Sequence, residues 1–340
     1  MYFDVTMPLT LFTVTVAAML LSGKVERKLK SAVEEKEFKT RDTVLLVAAM
    51  SVTISLVVFI PQIAIMALFL FAYSLLLFVF TYVFSGFSQR KNAVVSACLF
   101  AVTMVAAVVS FFSFGLRNTS IYGTIAFLCL GGFTLVAAVD QKTAETGERW
   151  VLAVLPPAIF VGLYFFFSAT PLWFPFLLNM YGLIFALMII MYLGTLFTWK
   201  TTLIFATLLT IMDIILVLFT GTMVSAARAV TALRLPVLVS LPTLPAILVQ
   251  RGWLYMSLGL GDFFFAGLLA TQSYKKFGRN TAVLSTIGGC ISFFVFETFM
   301  LNYEWSAFPG TLMIVVGWIP FVAAKLIMQR SKRADAATPS

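Results

Sequence analysis

Apolar residues run along this chain in long blocks that neither strict alternation nor a regular polar face interrupts. A block of about 18 or more such residues is long enough to cross a hydrocarbon core of about 30 Å as a helix. The pattern predicts eleven candidate spans, at roughly 5–22, 43–60, 62–87, 93–113, 121–139, 150–168, 172–198, 201–220, 254–271, 281–300 and 309–328. The run 43–87 is too long for one helix, and Pro61-Gln62 is its natural hairpin. Boundaries near 169–172 and 198–201 carry weaker signals, which puts the total between nine and eleven. The alternating short segments of a β-barrel are absent. The expected fold class is all-α, a polytopic transmembrane helix bundle.

Charge sets an expected topology. With the N-terminus outside and the C-terminus cytoplasmic, 19 of the 23 Lys and Arg residues fall on the inside, and only Arg117, Arg228, Arg234 and Arg251 fall outside. This is the positive-inside bias. It accounts for the net charge of +9 without a nucleic-acid partner. An integral multi-pass protein with the lipid bilayer as its partner follows, in the plasma membrane of a prokaryote or an endomembrane of a eukaryote. Cys98, Cys129 and Cys290 lie inside apolar blocks and read as packing residues. The chain has no histidine, which removes HExxH zinc sites and any nucleophile activated by histidine. No metal site and no cofactor is expected. The outside connection 221–253 holds Pro236, Pro242 and Pro245, so its stretch 229–253 is expected to be extended rather than helical. The tail 329–340 is expected to be disordered.

Within this map, most of the 14 acidic residues lie in loops or at span ends, Asp4 among them. Glu297 lies near the outer end of its span and reads as an interface residue. Two carboxylates are deep: Asp213 in "LLTIMDIILVL" and Asp262 in "LGLGDFFFAG". Each costs about 2.5–3.5 kcal/mol at a bilayer centre, and no intramembrane Lys or Arg pairs with either. Counted from the outer ends of two consecutive antiparallel spans, both sit at about 11–12 Å depth at 1.5 Å per residue. Two adjacent carboxylates share one proton, which gives one general base and one general acid without histidine or metal. Thr210, one turn before Asp213, is placed either to bond that carboxylate or to bond back to its own helix.

These residues resemble the GxGD intramembrane aspartyl proteases, the presenilin and signal peptide peptidase group. "GLGD" at 259–262 matches GxGD, and Asp213 stands where the family has the aspartate of its YD motif. "LVLFTGTMVSAARAV" is similar to the stretch after that motif, and "FPG" at 308–310 opens the last span where the family has PAL. Met212 replaces the tyrosine, and Pro309-Gly310-Thr311 replaces PAL. The resemblance is closest to the signal peptide peptidase branch, whose orientation agrees with the charge count, and an archaeal-type homologue is implied. It implies nine core spans, leaving 5–22 and 43–60 as two extra N-terminal ones. The chain then divides into 1–61 (extra spans and a basic inside loop), 62–200, a catalytic part 201–328 and the tail. The implied catalytic residues are Asp213 and Asp262. Gly259, Leu260, Gly261, Pro309, Gly310 and Thr311 are the implied substrate-binding residues. The implied substrates are transmembrane segments or leftover signal peptides.

Other readings keep the same residues. The aspartates could form a structural interhelical bond, the glycines could serve close packing, and Pro309 could simply start a helix. A proton-coupled transporter would use the aspartates as a relay and would bring broken helices, ionisable residues along a path and inverted repeats; the sequence shows no such trail or repeat. A prepilin-peptidase-like GxGD protease would place its aspartates near the cytoplasmic face.

Overall fold

Helices form where the apolar blocks are, and their ends fall where local chemistry dictates. The computed structural model describes residues 2–32, 37–56, 59–60, 62–84, 149–249, 252–303, 305 and 307–335, with isolated positions between 100 and 128. The expected spans 93–113 and 121–139 therefore lie essentially outside the described residues. In chain order the helices are α1 (Thr6–Ala32), α2 (Thr40–Leu56), α3 (Gln62–Phe84) and α4 (Arg149–Phe167). A kinked segment, Leu172–Leu177, in which Phe174 is extended (φ −112°, ψ 127°), leads into α5 (Leu178–Leu196). Then come α6 (Trp199–Ile214), which continues as π-helix over Ile215–Phe219, and α7 (Thr222–Ala232). Four short strands follow: β1 (Leu238–Pro242), β2 (Leu248–Val249), β3 (Gly252–Trp253) and β4 (Tyr255–Gly259). The chain closes with α8 (Leu260–Phe277), α9 (Arg279–Tyr303) and α10 (Gly310–Asp335).

The chain is a polytopic helical bundle. Among the described residues six helices are long and apolar enough to cross a membrane: Thr6–Leu29, Gln62–Phe84, Leu172–Leu196, Trp199–Phe219, Arg279–Tyr303 and Gly310–Ser331. Several departures from the expected boundaries have physical causes. The uncertain break near 198–201 is a helix start, because Thr198 and Thr201 form a reciprocal capping box. α1 runs past the apolar block through "KVERKLKSA", good helix formers, and an ion pair of 2.9 Å joins its Glu26 to Lys275 of α8. α10 likewise continues to Asp335 into the segment expected to be disordered. The connection 221–253 is helical through Ala232 before the prolines begin, and only its later part is extended, as two antiparallel hairpins. Among the described residues those hairpins are the exception to an otherwise all-α fold.

Two compact units are present. In the one spanning Met66–Leu177, Tyr73 of α3 meets Phe160 of α4 edge-on, and Tyr164 packs against the fully buried Trp173. The other, Met1–Ile65 with Leu178–Ser340, holds both deep aspartates. Its centre is α8, where every residue from Phe263 to Ser273 is buried. α1, α5, α6, α9 and α10 surround it, which is why this segment is apolar on all sides. Its polar exceptions are satisfied. Gln272 donates to the carbonyls of Gly194 and Phe197, and Ser273 accepts from Trp318 Nε1 at 3.1 Å. α1, one of the two helices expected to be extra, packs directly on α8, and its Met7, Leu11, Ala18 and Met19 are buried.

α9 and α10 approach backbone to backbone. A Cβ at Gly288 would lie 2.5 Å from the Gly317 carbonyl oxygen and against Phe321, and one at Gly317 would strike the Gly288 carbonyl. Gly317→Ala is accordingly expected to destabilise the fold by about 1–3 kcal/mol, the usual cost of overpacking. Thermal unfolding in detergent measures it, and an unchanged midpoint contradicts the close-contact account.

Candidate active site

Asp262 sits at a strand-to-helix junction. The span expected to open as a helix at Leu254 instead begins with β4, and α8 starts only at Leu260. "YMSLG" is apolar enough for either state, and tertiary pairing decides it: β4 runs antiparallel to β1, from Pro242↔Tyr255 to Leu238↔Gly259. Asp262 is therefore in the first turn of α8 rather than eight residues into a helix. Gly259 is the N-cap, and Asp262, three residues on, turns its carboxylate back toward Gly259. Its Oδ2 lies 3.2 Å from where a Cβ on Gly259 would stand. Gly259 thus leaves room for the carboxylate.

Asp213 is next to last in the α-helical part of α6, immediately before the π-helical stretch. Such widened turns occur mostly as local adjustments, often at functional sites. Asp213 Oδ2 accepts two hydrogen bonds from one residue, Thr311: 2.7 Å from the hydroxyl and 3.2 Å from the backbone N–H. That N–H belongs to the first turn of α10, where helical N–H groups lack internal partners and the helix dipole favours an anion.

The start of α10 also touches the other carboxylate. A Cβ on Gly310 would stand 2.5 Å from Asp262 Oδ1 and 2.8 Å from its Cγ. One dipeptide, Gly310-Thr311, therefore contacts Asp262 with one residue and Asp213 with the next, and the two carboxylates lie within electrostatic range of each other. Residues 98 positions apart are brought to one point by three helices.

The remaining expected site residues separate. Gly261 is exposed, and nothing lies within 4 Å of where its Cβ would be, so it faces open space beside Asp262. Leu260 is 6% exposed with its side chain in the core, and its N–H donates to the Val237 carbonyl. Pro309 is buried just before α10, where its carbonyl accepts the Met313 N–H; this is the helix-starting position. Thr210 does neither of the two things expected of it, because its hydroxyl is buried and has no partner among the described residues. Glu297 is 2% exposed, packed in the interior of its helix bundle.

Reading only the charged groups misses Asn179. It stands alone in the apolar run "FPFLLNMYGLIF", the same kind of signal that singles out the aspartates. Its side chain holds β1 from α5, accepting from Ser240 N–H at 2.7 Å and donating to the Ser240 carbonyl. Ser240 therefore points its backbone away from β4, and its side chain meets Ser257 across the ladder at 2.7 Å. Since β1 is covered in this way, the ladder's other edge belongs to β4, which carries no second strand among the described residues.

A half-buried aspartate pair in a helical bundle with membrane-length apolar helices is the class this fold and site define. Compared with protein-family models and with curated proteins, the chain matches none.

Proposed function

We propose that the chain is an intramembrane aspartyl endopeptidase of the GxGD type, closest to the signal peptide peptidase branch. It hydrolyses peptide bonds within transmembrane segments or leftover signal peptides. The observation that carries this reading is the contact of Gly310-Thr311 with both carboxylates, because it converges the "GLGD" helix, the Asp213 helix and the "FPG" helix on one point. In this reading one aspartate, ionised, takes a proton from water as the water attacks the scissile carbonyl carbon. The other, protonated, gives its proton to the carbonyl oxygen. The resulting gem-diol collapses as the leaving nitrogen is protonated, and the acid–base states reset. No cofactor or metal takes part.

A helical substrate hides its carbonyls, so it must be extended at the cut. The edge of β4 that carries no second strand among the described residues ends three residues before Asp262 and suits an added strand. The charge bias supports an outside N-terminus and a cytoplasmic C-terminus, and the resemblance implies nine core spans with up to two more before them. The testing experiment is cleavage of a varied set of membrane-spanning model peptides by purified protein in detergent. Cuts inside the apolar segment support the proposal. Folded protein that cuts none of them overturns it, and proton flux in proteoliposomes then tests the transporter reading.

A further inference from the structure

Away from the aspartate pair, the first residues of the chain form a joint of their own. Asp4 is 1% exposed, and its carboxylate accepts three backbone N–H groups. Thr6 (3.0 Å) and Leu244 (2.8 Å) bond Oδ1, and Met7 (3.2 Å) bonds Oδ2. Thr6 and Met7 are the first turn of α1, so Asp4 caps that helix. The bond to Leu244 is different in kind, since it crosses 240 residues and is answered by Val5 N–H donating to the Leu244 carbonyl at 3.0 Å. Leu244 follows the far end of the β1–β4 ladder, one residue past Thr243, whose N–H bonds the Leu254 carbonyl. Tyr2 exchanges two more bonds with the side chain of Asn302 on α9, its N–H donating at 2.9 Å and its carbonyl accepting at 2.6 Å. Phe3 meets Phe294 of α9 edge-on. Glu297 of α9 lies within electrostatic range of Asp4, its buried Oε2 without a hydrogen-bond partner among the described residues.

We infer that Tyr2–Val5 is a positioning strap, which ties the far end of the β1–β4 hairpin to α9 and so fixes how β4 delivers Asp262 to Asp213. A two-stranded hairpin is at best marginally stable by itself. This one is supported at three places. Its near end runs into α8, its middle is held by Asn179, and its far end is held by the strap. Removing the strap leaves the half of the ladder around Leu241 and Met256 without its outer support. Asp4 carries the largest share, because losing it leaves the Leu244 N–H without an acceptor and uncaps α1. Asp4 and Asn302 are positioning residues. The catalytic consequence rests on the function proposed above, and the hairpin anchoring does not.

The test uses the full chain in detergent with Asp4→Ala, Asp4→Asn and Asn302→Ala. Amide exchange across 238–242 and 255–259 is read in an Asp213→Asn background, and kcat and KM on a model peptide are read without it. Asp4→Ala is expected to speed exchange at the Leu241 and Met256 amides by about tenfold or more. It should also lower kcat about tenfold with KM little changed, since the dyad and not binding is misplaced. Asp4→Asn keeps the Oδ1 acceptor and should restore both values toward wild type. A folded Asp4→Ala with unchanged exchange overturns the strap. Faster exchange with unchanged kcat overturns its positioning role. Faster exchange in a protein that cleaves nothing even as wild type leaves the strap standing and removes the protease reading. Should Asp4→Ala fail to fold, Asn302→Ala, which leaves the α1 cap intact, decides by the same two readouts.

Discussion

Asp213→Asn and Asp262→Asn are each expected to lower cleavage of a membrane-spanning peptide by roughly 10³-fold or more, the upper range for losing a general acid or base. Asparagine matches aspartate in shape but cannot take and release a proton at the reacting atoms. Both variants should fold. An amide oxygen at position 213 can still accept from Thr311, and position 262 keeps its place in the first turn of α8. The measurement is product analysis by mass spectrometry on purified protein, with helical content checked by circular dichroism. Two silent, folded variants against an active wild type fit a dyad acting as a unit. Either variant retaining a tenth of the wild-type rate moves the chemistry elsewhere.

Gly310→Ala is expected to be nearly as damaging, although it changes no reacting group. The new methyl would stand 2.5 Å from Asp262 Oδ1 and 2.8 Å from Cγ, distances no real side chain tolerates. Asp262 opens directly into the buried stretch Phe263–Ser273, so its backbone has little room to retreat. A misplacement of about 1 Å at reacting groups costs on the order of 100-fold. That loss in kcat is the expected result, with a fold destabilised by only about 1–3 kcal/mol. The adjacent residue gives a milder counterpart. Thr311→Val removes the 2.7 Å hydroxyl bond to Asp213 and keeps the N–H bond, so about a tenfold loss is expected, as for one charge-assisted hydrogen bond. Thr311→Ser should recover it. A fully active Gly310→Ala enzyme would show that the α10 start does not constrain Asp262.

The deep aspartates were legible because a carboxylate in an apolar run is costly wherever it falls. The helix bundle was legible for the same reason in reverse, since only length and apolarity are needed to read a span. What pattern could not supply was the state of "YMSLG", which is equally compatible with strand and helix until β1 pairs with it. The helix Thr222–Ala232 was masked by the prolines that follow it, which mark the whole connection as non-helical. Asp4 looked like a span-end residue, and its true partner is 240 positions away. Nor does hydropathy distinguish a peripheral helix from one packed at the centre: α1 is an ordinary apolar span by composition and lies against α8 in the fold.

The glycine contact between α9 and α10 has a mechanical corollary. Gly288 and Gly317 mesh backbone to backbone, with Gly289 set against Ile314 beside them. Sliding one helix past the other would drive Cα and carbonyl into contact, so the pair behaves as a single stiff plank. Gly310-Thr311, at the end of that plank, is then a fixed anvil for both carboxylates. Any widening of the site to admit a bulky chain falls to the opposite wall. In the proposed protease that wall is the Asp213 helix, whose regular turns already give way at the π-helical stretch Ile215–Phe219 and at Gly221, with φ of 65°.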